Sequence, residues 1–227
     1  MKNPEIQKIY TDFARHFNPQ NYPYLFREFP RMRRKFPSRY PHELGHYAIF
    51  YTPVPDQPID FMLVGNNPSW FDSKAKQSRD AAARAEQTVR ECEEGPPKDN
   101  LYLRPYFEFG TQLQQILPPQ ILENIVGLNR FWMQTGVDIQ QFLKDLETED
   151  AKKEFLLLQK ECEKNTRKIV LLLKPKTVFL FGNAAQKTFL KTSLPCDFVS
   201  VRHPSNAGVS KAKSEIEHYL ASKKYAA

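Results

Sequence analysis

Apolar and polar positions alternate along this chain with two different periods. Ile59 to Val64, Ile125 to Met133, Thr177 to Phe181 and Phe198 to Val201 are short, apolar and β-prone, the pattern of strands. Thr177 to Phe181 is unbroken, as in a strand buried on both faces. Between these runs the apolar residues recur at helical spacing. Leu113, Ile116 and Leu117 mark one helix in 110–117, and Ile139 to Leu146 is a second. Asp150 to Leu173 is a long amphipathic helix with Phe155, Leu158, Cys162, Ile169 and Leu172 on one side. Lys174-Pro175-Lys176 stops it, Gly182-Asn183-Ala184-Ala185 opens another helix, and Lys211 to Ser222 forms the last. His46 to Tyr51 also reads as a strand, divided from the next by a proline-rich turn, 53–58. Strands alternating with helices predict an α/β fold: a three-layer α/β/α sandwich around a mostly parallel sheet of about four strands.

Residues 1–45 break this rhythm. They are rich in aromatics, arginines and prolines (Pro19, Pro23, Pro30, Pro37, Pro41), which permits a short helix from Glu5 to His16 and then predicts an irregular arm. The division expected is therefore an arm, 1–45, and a domain, 46–227. Inside the domain, 73–99 reads as a polar helical insertion with few apolar anchors.

Composition narrows the partners. The net charge is +7, and the window from Arg27 to Arg39 holds Arg27, Arg31, Arg33, Arg34, Lys35 and Arg39 against the single acid Glu28. That clustering predicts an anionic partner, with a merely solvated basic face as the alternative. Pro30 and Pro37 argue against the amphipathic helix that a membrane-surface role would want. No apolar run approaches the ~20 residues of a membrane span, and the N-terminus has no apolar signal core, so the expectation is a cytoplasmic protein without a membrane partner, nuclear in a eukaryote. Cys92, Cys162 and Cys196 are odd in number and widely spaced, so they read as reduced thiols rather than ligands of a zinc or iron–sulfur centre.

In open α/β sheets ligands bind beyond the carboxyl ends of the strands. Three polar clusters fall there: Gly65-Asn66-Asn67-Pro68-Ser69, Asn129, and His203-Pro204-Ser205. Singly they are an ordinary turn, a surface amide and a structural histidine. At successive strand ends they converge.

A strand followed by Gly-x-Asn-Pro and a distant strand followed by His-Pro-Ser resembles the uracil-DNA glycosylase superfamily, over roughly residues 59–220. Phe107 to Leu117 and Lys174 to Gln186 are similar to further segments of that family. The resemblance implies an α/β/α sandwich that flips a base out of the stack and hydrolyses its glycosidic bond without metal or cofactor. On this reading His203 donates to the base oxygen and stabilises the departing anion, while Asn67, an amide where relatives carry a carboxylate, positions water without acting as a base. Asn129 reads the base edge, its donor and acceptor matching O4 and N3–H of uracil. Gly65, Asn66 and Pro68 fall among the substrate-binding residues, with Pro68 rigidifying the first loop; Trp70, Tyr106 or Phe107 stacks on the base, and Ser69 and Ser205 donate to phosphates. Arg31, Arg33 and Arg34 contact the DNA backbone from the arm. Asn206 and Ala207 are too small for a wedge, which favours single-stranded or mismatched DNA over intact duplex. The first motif belongs with the Asn-containing branches, acting on uracil or another deaminated base, as a monomer.

Two other readings compete. One is a catalytically weak or inactive nucleic-acid-binding member of the same superfamily. The other is an unrelated α/β enzyme with an anion site at Gly182-Asn183-Ala184-Ala185.

Overall fold

The structure, a computed structural model, describes residues 3–40, 44–56, 58–66, 90–105, 107–135, 137–189, 194–204 and 208–223. Four strands, β1 (Phe61–Gly65), β2 (Val126–Asn129), β3 (Thr177–Phe181) and β4 (Asp197–Val201), form one sheet in the order β2-β1-β3-β4, all parallel. The helices are α1 (Pro4–His16), α2 (Pro23–Lys35), α3 (Glu108–Ile116), α4 (Pro119–Asn124), α5 (Ile139–Asp145), α6 (Glu149–Leu173), α7 (Asn183–Phe189) and α8 (Val209–Ser222).

Side chains alternate across the pleat and divide the core in two. Met62, Val64, Val126, Leu128, Val178 and Leu180 face α1, α2, α5, α6 and α7; Leu63, Phe179, Phe181 and Val201 face α3, α4 and α8. The three-layer sandwich expected from the pattern is what forms. The chain steps from β1 to β2 over one face and from β2 back across to β3 over the other. Both crossovers can therefore be right-handed, and the winding reverses between β1 and β3. Residues 46–51 do not form the expected strand: they carry isolated bridges at Tyr47 and Phe50, with bends at Ile49 and Tyr51, and lie outside the parallel sheet. They run antiparallel to β2 and its continuation, through Asn129 N–H to Ile49 O (3.1 Å) and Ala48 N–H to Trp132 O (2.9 Å).

The irregular arm is corrected. Residues 23–35 form α2 despite Pro30, and Ile6, Tyr10, Phe13, Leu25, Phe29 and Met32 belong to the same core as β1 and β2. Pro30 removes the N–H that would bond the Phe26 carbonyl, but it lies on the exposed side, where water can take that carbonyl. The single acid of the basic window does the docking. Glu28 is buried and accepts from the Glu147 and Thr148 N–H groups and the Thr148 hydroxyl, at the start of α6. Leu25 N–H donates in return to Glu154 (2.8 Å), so α2 lies antiparallel on α6. Lys35 and Arg39 are likewise spent within the molecule, on Glu147 (2.7 Å) and Asp145 (3.1 Å).

Residues 73–89 of the helical insertion lie outside the described residues, and 90–99 lie within them. The stretch 90–94 is anchored rather than loose: Cys92 is buried in the core, and Glu93 accepts from Tyr47 N–H (3.1 Å) and lies 2.9 Å from His46 Nδ1. Burial pushes the Cys92 thiol up to about 12 and Cys196 up to about 11, and raises Cys162 as well, so the thiols are unreactive. No described helix is long and apolar enough to cross a membrane.

Candidate functional site

Three of the residues singled out from the sequence, Gly65, Asn129 and His203, lie along the carboxyl edge of the sheet. Gly65 and Asn129 are register partners across β1 and β2. Asn129 is 3% exposed; its carbonyl accepts from Trp132 Nε1 (2.9 Å) and the Thr166 hydroxyl (3.0 Å), and its Nδ2 donates to Ala48 O (3.3 Å). Its Oδ1 lies over Gly65, where a Cβ would meet it at 3.1 Å. A side chain at 65 would press on the Asn129 carboxamide, which would have to shift by a few tenths of an ångström.

His203 reaches the same edge from the other side. Gly182 ends β3 with φ +83°, a conformation that disfavours a side chain, and donates its N–H to Val201 O (2.9 Å). The His203 Cβ lies 3.6 Å from where a Cβ on Gly182 would stand, so the histidine folds back over β3. Gly208 permits the tight return into α8, since a side chain there would collide with the His203 carbonyl. The imidazole stacks on Phe109, centroids 5.5 Å apart and planes inclined by 28°. His203 as a whole is exposed, but the protein packed around its ring holds its pKa below the ordinary imidazole value. At pH 7 the neutral imidazole is therefore the favoured form.

The first motif is held by a residue the sequence reading passed over. Arg130 Nη2 and Nε donate to Asn66 Oδ1 (2.9 and 3.3 Å), and Arg130 Nη1 pairs with Glu163 of α6. Burial lowers the Arg130 pKa while Glu163 opposes that shift. Asn66, expected to touch substrate, has its carboxamide oxygen committed to this arginine. The available signal was an arginine directly after a buried strand.

Phe107 sits at the start of α3, half-buried and edge-on to Tyr51 (5.1 Å) and Tyr102 (6.4 Å); Phe109, two residues on, is the aromatic that touches His203. Asn67, Pro68, Ser69, Trp70, Tyr106 and Ser205 lie outside the described residues. Gly182-Asn183-Ala184-Ala185 opens a helix of only seven residues, too short to build the anion site of the third reading. No group of three or more His, Cys, Asp or Glu among the described residues is placed to hold a metal.

The basic window becomes a helix face. At about 100° per residue, Arg27, Arg31 and Arg34 lie opposite Leu25, Glu28, Phe29 and Met32, exposed and without a carboxylate within ion-pair distance among the described residues. Arg33 falls on the flank, half-buried. Arg27 packs over the exposed Tyr24 ring, 5.1 Å from its centroid. Glu163 and Thr166 are level with the end of β2 and α6 runs from there back to the start of β3, so its earlier half, residues 149–162, lies toward the carboxyl side of the sheet. Since α2 packs on that earlier half, the arginine face and the strand-end cluster share one end of the molecule. Neither a scan against protein-family models nor a search of curated protein sequences returns a match for this chain.

Proposed function

We propose that this chain is a monofunctional DNA glycosylase that releases uracil or a related deaminated base. The observation that carries the reading is the placement of Asn129 and His203 on either side of the β1/β3 switch point, with Gly65 between them. His203 stands over β3, so it is separated from Asn129 by two strand spacings, about 10 Å at the backbone. On this reading one flat heterocycle occupies that gap. Asn129 supplies an amide for the base edge, and neutral His203 supplies an N–H for the oxygen on which charge develops as the bond to the sugar breaks. The arginine face of α2 adds a sequence-independent hold on phosphates at the same end. The test is incubation with single- and double-stranded oligonucleotides containing uracil, hypoxanthine or xanthine, followed by alkali. Strand scission on at least one supports the reading, and intact strands on all of them refute it.

A second reading, a nucleic-acid-binding member with little or no activity, is favoured by one specific feature. The Asn129 Nδ2 and the Asn66 Oδ1 already have protein partners, which leaves fewer polar atoms for a ligand. Tight oligonucleotide binding without base release would select it.

A further inference from the structure

We propose that Arg130 is a positioning residue for this site: a buried clamp that fixes the Gly65-Asn66 turn to the end of β2 and to α6. Only the activity arm of its test rests on the glycosylase reading. The clamp has a backbone part and a side-chain part. Arg130 N–H donates to Gly65 O and Phe131 N–H to Asn66 O, each at 2.9 Å, which continues the β1–β2 pairing beyond the last strand residues. The guanidinium then takes Asn66 Oδ1 with two N–H groups and Glu163 with a third. Glu163 is itself steadied by Gln159 Nε2 at 3.0 Å.

Stability alone gives little reason for this arrangement. Arg130 is 4% exposed, and an ion pair so buried costs about as much desolvation as it returns; a well-packed apolar side chain would serve the fold as well or better. What an apolar residue cannot do is tie two elements together directionally. The planar fork reaches Asn66 from one edge and Glu163 from another, which the point charge of a lysine cannot reproduce. Asn66 is the residue from which the chain enters the rest of the Gly-Asn-Asn-Pro motif, so anchoring it fixes where that motif starts. In the chain Arg130 directly follows Asn129, whose backbone carbonyl is held by Trp132 and Thr166.

The test uses the full chain with Arg130→Lys, Asn66→Ala and Asn66→Asp. Native-state amide exchange is read at residues 130 and 131 and, as control, through α8. Single-turnover base release is measured at saturating uracil-containing single-stranded oligonucleotide. Arg130→Lys and Asn66→Ala are expected to speed exchange at 130 and 131 at least about fivefold, the equivalent of a lost hydrogen bond, and to leave α8 unchanged. Asn66→Asp keeps the acceptor oxygen and retains the wild-type exchange rate. Misplacement of the motif should slow base release on the order of 10²-fold while the oligonucleotide Kd stays within about twofold. Unchanged exchange, an increase spread equally over α8, or a loss wholly in Kd each overturns the clamp. If Arg130→Lys does not fold, Asn66→Ala decides, since it leaves Arg130 with Glu163. If the wild-type chain releases no base, the glycosylase reading falls and exchange alone judges the clamp.

Discussion

Phe109 and His203 lie face to face, their rings 5.5 Å apart and inclined by 28°. Phe109 is in turn edge-on to Phe181, the last residue of β3, so the imidazole rests on an aromatic pair rooted in the sheet. One face of His203 is thereby shielded from water, which favours its neutral form.

This relationship predicts a titration. Because the folded pKa lies below the ordinary 6.5, the unfolded chain binds the proton more readily. His203 therefore favours the folded state above pH 6.5, and that contribution is lost as the pH falls through 6.5 toward the folded value. Followed by NMR, the His203 midpoint should lie below 6.5, and Phe109→Ala should raise it toward 6.5. A wild-type midpoint at or above 6.5 contradicts the shielding.

A second prediction concerns the docking of α2. Glu28→Ala strips the Glu147 and Thr148 amides and the Thr148 hydroxyl of a buried acceptor. Leaving such donors unpaired should cost about 3 kcal/mol in urea-induced unfolding, and Glu28→Gln, which keeps one acceptor oxygen, roughly half as much. A loss under about 0.5 kcal/mol for Glu28→Ala would show that Glu28 does not dock the two helices.

The arginine face makes a third. Replacing Arg27, Arg31 and Arg34 together with Gln should reduce the slope of log K against log[salt] for a single-stranded oligonucleotide by about 2, given ~0.7 per phosphate neutralised. Arg33→Gln, on the flank, should change it less. An unaltered slope in the triple variant would make the face merely solvated.

Much of this architecture was legible in the periodicities. Thr177 to Phe181 is read to the residue, and of the five α6 positions expected in the core Phe155, Leu158, Cys162 and Ile169 are buried while Leu172 is half-buried. Both signals are local, a period or a run. Gly65, Asn129 and His203 were found because strand ends in a parallel sheet must share an edge. What escaped depended on contacts distant in sequence or on which side of a helix a breaker falls. Pro30 is tolerated because it faces water. Arg130 acquires its role only where it meets Asn66 and Glu163, 64 and 33 residues away. Phe109 rather than Phe107 meets the histidine because α3 begins at Glu108 and turns the later ring toward β3.

The central claim, that the carboxyl edge of this sheet holds a base between Asn129 and His203, is tested most directly by single-turnover release from uracil-containing and matched cytosine-containing single-stranded oligonucleotides. The wild-type chain should release uracil and leave cytosine in place, and His203→Ala, with its fold intact by circular dichroism, should slow uracil release by about 10²–10³-fold, the usual cost of one lost donor to a developing anion. Release at the same rate by wild type and His203→Ala would contradict the account.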